Sequence, residues 1–347
     1  MKSIARAFGL LVLCIAAHEG DSGAVARGEE ERIRLLIVDG QNNHDWRGTT
    51  PHLKSILEGC GKFVVEIATT PPTGSHDMTN FRPDFQRFDA ILLNYNGDPW
   101  PEETHKALEA AVESGKGLIV VHAANNSFPG RLTYDRMLGL AWRPKELGTR
   151  IAIDPQGQPV RVEAGQGPNS GHGKRRPFAI TVRQPDHPIT KGMPTTWMHA
   201  RDELYNGLRG PVEEMELLAT AFDDSAQGGS GLHEPITWVV AFGKGRVFHT
   251  CLGHDVQAMR CVGFITLLQR GSEWAATGAV TIPIPEDFPT ADKESTRGGW
   301  WTALAARLSK VTAHFWPFLL IVVLFAALWI RVRIKRRGTT IKPTRTT

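Results

Sequence analysis

Apolar and polar positions along the chain fall into two regimes. In the first half, Arg34 to Asp39 (RLLIVD) is apolar without alternation, the pattern of a strand covered on both faces. Similar runs occupy Phe63 to Ala68, Ala90 to Asn94 and Gly117 to His122 (GLIVVH). Helical patterns lie between them: Thr50-Pro51 offers a cap and a first-turn proline for a helix through Leu57, and Glu102 to Ser114 carries another. Strands separated by helices pair in parallel through right-handed crossovers. The pattern predicts an α/β domain with a flavodoxin-like, doubly wound, mainly parallel sheet. The second half is looser, with glycine and proline punctuating 148–177 and 223–235. Strand-like segments appear at Phe178 to Val182, Glu216 to Thr220, Ile236 to Phe242 and Gly245 to Cys251. A helix from Ala258 to Gln269 closes the domain, and Thr281 to Arg297 reads as a Pro-rich polar stalk.

The ends change the picture. Lys2 and Arg6 precede an apolar run from Ala7 to Ala17, and small and polar residues end in Ala24-Val25-Ala26, the layout of a secretory signal over 1–26. Leu13 before Cys14 argues against lipid attachment, which wants a small side chain there. At the other end, Val311 to Ile330 is apolar apart from Thr312 and His314, and five basic side chains follow from Arg331 to Arg337. That length suits a C-terminal transmembrane helix over 311–330, with the cationic tail 331–347 cytoplasmic and the main domain outside. A linker over 291–310 joins the span to a domain over 32–290.

Charge then removes one class of partner. The whole chain carries a formal charge of +4, but without 1–26 and the tail from Arg331 there remain 31 basic against 34 acidic residues. The exported part is mildly acidic, so no nucleic-acid partner is expected. Beyond Cys14 only Cys60, Cys251 and Cys261 remain, too few for a disulfide framework.

Ligands of an open parallel sheet gather outside the carboxyl ends of its strands. Here those ends are polar: Gln41 to Asp45 after the first strand, including Asn43 and His44; Asn94 to Asp98 after the third, including Asn96; and His122 to Asn126 after the fourth. His122 stands at the strand-to-helix corner where hydrolases and amidotransferases of such folds place Ser or Cys. With neither present, acyl chemistry and glutamine hydrolysis are disfavoured, and an imidazole there acts as base, donor or metal ligand. Downstream, His172 sits between glycines, Asp202 and Glu203 lie beside Tyr205, Glu234 precedes a strand, and His254 with Asp255 follows one. Placement at strand ends predicts that His44, His122 and His254 converge. Trp46, Trp100, Trp197 and Tyr205 are candidate sugar-stacking aromatics.

The ordered motifs Asn43-His44-Asp45-Trp46, Val121-His122-Ala123, Ser170-Gly171-His172-Gly173, Asp186-His187-Pro188-Ile189, Asp202-Glu203-Leu204-Tyr205, Gly243-Lys244-Gly245-Arg246 and Leu252-Gly253-His254-Asp255 resemble the ThuA-like (trehalose utilisation) family over residues 32–290. The resemblance implies a fold similar to class I glutamine amidotransferases without their cysteine. It also implies a link to sugar catabolism, particularly of disaccharides oxidised to 3-keto forms.

Two functions compete. The first is a lyase, isomerase or hydrolase acting on a sugar or keto-glycoside, with His122, His254, Asp202 and Glu203 catalytic and Asn43, His44, Asn96, His172, Tyr205, Glu234 and Asp255 binding substrate. A divalent metal ion held by His44, His122 and His254 would fit it, although no sequence-local pair such as His-x-x-x-His is present. The alternative is a non-catalytic sugar-binding module on the cell surface. A purely structural domain makes poor sense of so many polar strand ends.

Overall fold

The computed structural model describes residues 32–298. The first half alternates strand and helix: β1 (Ile33–Asp39), α1 (Trp46–Gly59), β2 (Phe63–Thr69), β3 (Ala90–Leu93), α2 (Glu102–Glu113), β4 (Gly117–Val121) and α3 (Leu132–Leu138). The second half is mostly strand: β5 (Arg150–Ile153), β6 (Pro159–Val162), β7 (Gly171–His172), β8 (Arg176–Val182), β9 (Thr196–Asp202), β10 (Tyr205–Asn206), β11 (Met215–Phe222), β12 (His233–Phe242) and β13 (Gly245–Thr250). The helices α4 (Val256–Met259) and α5 (Val262–Thr277) follow.

The main sheet runs β2-β1-β3-β4-β13-β12-β11-β8-β9. Its first five strands are parallel, the order of a flavodoxin-like core. From β12 to β9 every pairing is antiparallel, so the mainly parallel description holds for the core only. Uninterrupted apolar strands follow from coverage on both faces. Leu35, Ile37, Ile119 and Val121 pack into one cluster, while Leu36, Val38, Leu118 and Val120 pack into another.

Several boundaries differ from the sequence expectation. Helix α1 starts at Trp46 because Asp45 caps it, its side chain accepting from Gly48 N at 3.1 Å. Thr50 is therefore internal, and its hydroxyl instead accepts from the buried Asn94 amide at 2.9 Å. The expected helix over 258–269 is two helices, broken at Cys261, whose extended backbone pairs with Thr296. Residues 281–297 are not a free stalk. Ile282 is buried, Ile284 and Phe288 pack on the core, and Val262 N donates to the Ser295 carbonyl at 2.8 Å. No helix among the described residues is long and apolar enough to cross a membrane. The signal segment 1–26, the span 311–330 and the tail 331–347 lie outside the described residues.

Two histidines make the fold acid-sensitive. His105 of α2 stacks against Trp100, and burial first, then the Arg131 charge, lowers its pKa to about 4. Burial lowers that of His249 in β13 to about 3. Unfolded imidazoles protonate near pH 6.5 while these stay neutral, so the unfolded chain binds more protons and stability falls as pH drops below that value. Thermal unfolding midpoints should fall between about pH 6.5 and 4. His105→Gln should flatten that fall, and an unaltered pH slope in the variant would refute the assignment.

Candidate functional site

Three strand ends of the parallel core deliver imidazoles to one place. His44 follows β1, His122 follows β4 and His254 follows β13. Their ring centroids lie 4.7 Å apart for His44 and His122, 4.7 Å for His44 and His254, and 5.5 Å for His122 and His254. Glu203, from the turn between β9 and β10, enters the middle. Its Oε2 lies 3.6 Å from His122 Nε2 and 3.9 Å from His44 Nε2; its Oε1 lies 3.2 Å from His254 Nε2 and 3.7 Å from His172 Nε2. Side-chain exposure rises from 4% at His122 through 10% at Glu203 to 39% at His172, so a ligand approaches past His172 toward His122.

Hydrogen bonds orient each ring. His122 Nδ1 lies 2.7 Å from the Cys251 carbonyl, which only accepts, so Nδ1 carries the proton. Its Nε2 then accepts from the Tyr205 hydroxyl at 2.9 Å. Burial raises the Tyr205 pKa well above its ordinary value, keeping the phenol a donor. Asn42 Oδ1 accepts from the His44 backbone N at 3.0 Å, which fixes it as the oxygen facing His44 Nδ1 at 3.3 Å. His122 also has φ +48°, a left-handed conformation uncommon outside glycine. Such strain at a strand-to-helix corner is retained where the surrounding structure fixes it.

Electrostatics centre on Glu203. Burial alone would raise its pKa, but the facing imidazoles of His122, His44 and His254 hold its carboxyl well below the usual range. Burial lowers the pKa of His254, and the charges of His122, His44 and Arg175 add to the effect while Glu203 opposes it.

Asp202 has a different job. It is fully buried and accepts from His199 Nε2 at 2.9 Å, Glu203 N at 2.8 Å, Gly253 N at 2.7 Å and His254 N at 3.1 Å. Those partners occupy the carboxylate, so it positions the loops that carry Glu203 and His254 and does not face a ligand. Asp255 caps α4 through Ala258 N and pairs with Arg175 at 2.8 Å. Glu234 is buried in an ion pair with Arg150 and accepts from Ser230 and Gly207, which removes it from ligand binding. Asn96 donates to Asn43 at 2.7 Å, a pair on the β1 and β3 rim. Trp100 and Trp197 are core residues, and Trp46 lies beneath the Arg47 guanidinium.

The model of the ThuA family, described as trehalose utilisation, matches residues 34–275. The chain belongs to the ThuA family. A ThuA-like protein from Parabacteroides merdae is 40% identical, with TM-score 0.74, covering 77% of this chain and 98% of its own. A ThuA-like protein from Bacteroides uniformis is 17% identical, with TM-score 0.51, covering 75% of this chain and 97% of its own, and shares the fold.

Relative to that family frame, three site residues escaped the sequence reading. Arg175 Nη1 lies 3.1 Å from His254 Nδ1, but in sequence it belongs to a Lys-Arg-Arg run that reads as solvated charge. Trp142 packs edge-on against Tyr205 at 4.8 Å and lies 5.9 Å from His172, half-buried, so it joins Tyr205 as an aromatic placed at the site. His199 is fully buried within β9, where it meets the buried Asp202. The free thiols Cys251 and Cys261 are buried, and Cys251 meets His122 through its backbone carbonyl.

The turn at Gly253 makes the assembly possible. Its φ of +101° suits glycine, and a Cβ there would stand 2.9 Å from the Phe264 ring. Gly253→Ala should cost about 1–3 kcal/mol of stability. Denaturant unfolding measures this directly, and an unchanged midpoint would show the turn to be unstrained.

Proposed function

We propose that this ThuA-family protein is an enzyme of carbohydrate catabolism, acting on a sugar or keto-glycoside by lyase, isomerase or hydrolase chemistry. The observation that carries this reading is the close pairing of His122 with Glu203 at a strained strand-to-helix corner, with Tyr205 on the same imidazole nitrogen. When Tyr205 turns its hydroxyl from His122 Nε2 to a developing substrate oxyanion, the freed Nε2 takes a proton from a sugar C–H or O–H and the ionised Glu203 stabilises the imidazolium that results. The half-buried face of Trp142 suits a sugar ring, with His172 at the entrance. The family description, trehalose utilisation, supports a disaccharide or its keto form as substrate.

The test is a turnover screen with disaccharides and their 3-keto derivatives. His122→Ala should fold as wild type and lose about 10²- to 10⁴-fold in kcat/KM. Wild-type protein that binds such sugars with no turnover would instead establish the second reading, a sugar-binding module built on Trp142, Tyr205 and His172.

The same reading includes export and anchoring by the segment 311–330, supported by its apolar length and the basic residues from Arg331. Protease added to intact spheroplasts should digest the domain and leave a short protected tail fragment. Protection of the whole domain would refute it.

A further inference from the structure

The arrangement around Glu203 poses a charge problem. Imidazoles of His44, His122, His172 and His254 all turn a nitrogen toward one carboxylate. Any of those nitrogens that holds a lone pair there meets the carboxylate oxygen as acceptor against acceptor. A neutral ring whose Nδ1 carries the proton presents a lone pair at Nε2. His44 is in that state when its Nδ1–H donates to Asn42 Oδ1, and its Nε2 then faces Glu203 Oε2, acceptor against acceptor, at 3.9 Å in a poorly solvated site. A positive centre between them removes the conflict.

We propose that His44, Glu203 and His254 bind a divalent transition-metal ion. One ligand atom from each lies within 4.8 Å of the others. Bonds of about 2.1 Å in a tetrahedral set place ligand atoms about 3.4 Å apart, a contraction within the reach of side-chain rotation. Two imidazoles and one carboxylate leave coordination positions open, the pattern of a catalytic site. Two imidazole donors favour zinc or cobalt over magnesium and calcium, and the carboxylate leaves manganese a weaker candidate.

The surroundings of the ligands match this use. Metal-binding histidines commonly hand their second N–H to a carboxylate or carbonyl, which fixes the coordinating nitrogen. His44 has Asn42 Oδ1 as that partner, and His254 has Asp255 Oδ2 at 3.4 Å from its Nδ1. Arg175 donates to Asp255 at 2.8 Å and holds that carboxylate in place. Without an ion, Arg175 Nη1 donates to His254 Nδ1 at 3.1 Å, so the ring proton sits on Nε2 toward Glu203; metal binding would shift that proton to Nδ1, facing Asp255, and free Nε2 for the ion. His122 stays outside the set, its Nε2 held by Tyr205, and remains the proton-moving group. The proposal deepens the enzymatic reading, because an ion there polarises a sugar oxygen beside His122.

The test needs no substrate. Full-length protein stripped with a chelator is titrated with Co²⁺, followed by its visible absorption, then with Zn²⁺ and Mn²⁺ by calorimetry. The expected result is one equivalent bound, with His44→Gln and His254→Gln each weakening affinity at least about tenfold. His105→Gln, remote from the site, should bind as wild type, and circular dichroism confirms the fold of each variant. If wild-type protein takes up none of the three ions stoichiometrically, or if both ligand variants bind like wild type, the metal site is refuted. Metal uptake without sugar turnover would leave the site standing and overturn the enzyme reading. Turnover by metal-free protein would uphold the enzyme reading and overturn the ion's part in it.

Discussion

Asp202 is a carboxylate removed from water, and the site around it exists because four N–H groups meet it. One comes from the His199 ring, one from the next peptide and two from the loop after β13. Burial raises the pKa of Asp202, but the hydrogen bond and charge of His199 outweigh that and hold it ionised. Because the acceptor is charged, each bond is stronger than a neutral one, and loss of any donor leaves part of a buried charge uncompensated. Two loops distant in sequence are thereby locked together: the one presenting Glu203 and the one presenting His254. The parallel core places His44 and His122 by topology, whereas Glu203 depends on this connection.

How much of this was legible in the sequence follows from where the information resides. The parallel core was readable, since β1, β3 and β4 are short apolar runs bounded by polar clusters, and strand-end placement predicted where His44, His122 and His254 would go. The adjacent Asp202 and Glu203 were visible as a pair, but their division of labour was not. Neighbours along a chain face different surroundings, and only the fold shows which carboxylate meets four donors and which meets the imidazoles. β9 stayed hidden because its burial pattern includes His199 and Asp202, so inward positions do not read as apolar. Arg175 and Trp142 sit in irregular segments, where no periodicity signals a direction. Residues 281–297 looked like a stalk from their prolines and charges, yet Ile282, Ile284 and Phe288 suffice to bind them down.

The strained His122 and the buried Tyr205 give the corner a character unlike the nucleophile corner it resembles in position. A serine or cysteine there attacks and forms a bond. An imidazole with one nitrogen tied to the Cys251 carbonyl has a single working nitrogen, and its tautomer is set before any ligand arrives. The cost of ordering that ring is met during folding, so it does not recur at each encounter with a ligand.

The return of residues 281–297 onto the core also sets a mechanical boundary. Left free, that length of chain would extend up to about 60 Å and let the domain swing through a wide arc around any point of attachment. Held by Val262, by Arg260 and by the pairing of Cys261 with Thr296, it transmits position instead. The last described residues leave the domain beside Arg260, only a few positions along the chain from His254. A pull on the chain beyond them would therefore be felt first at the break between α4 and α5, next to the loop that carries an imidazole of the site.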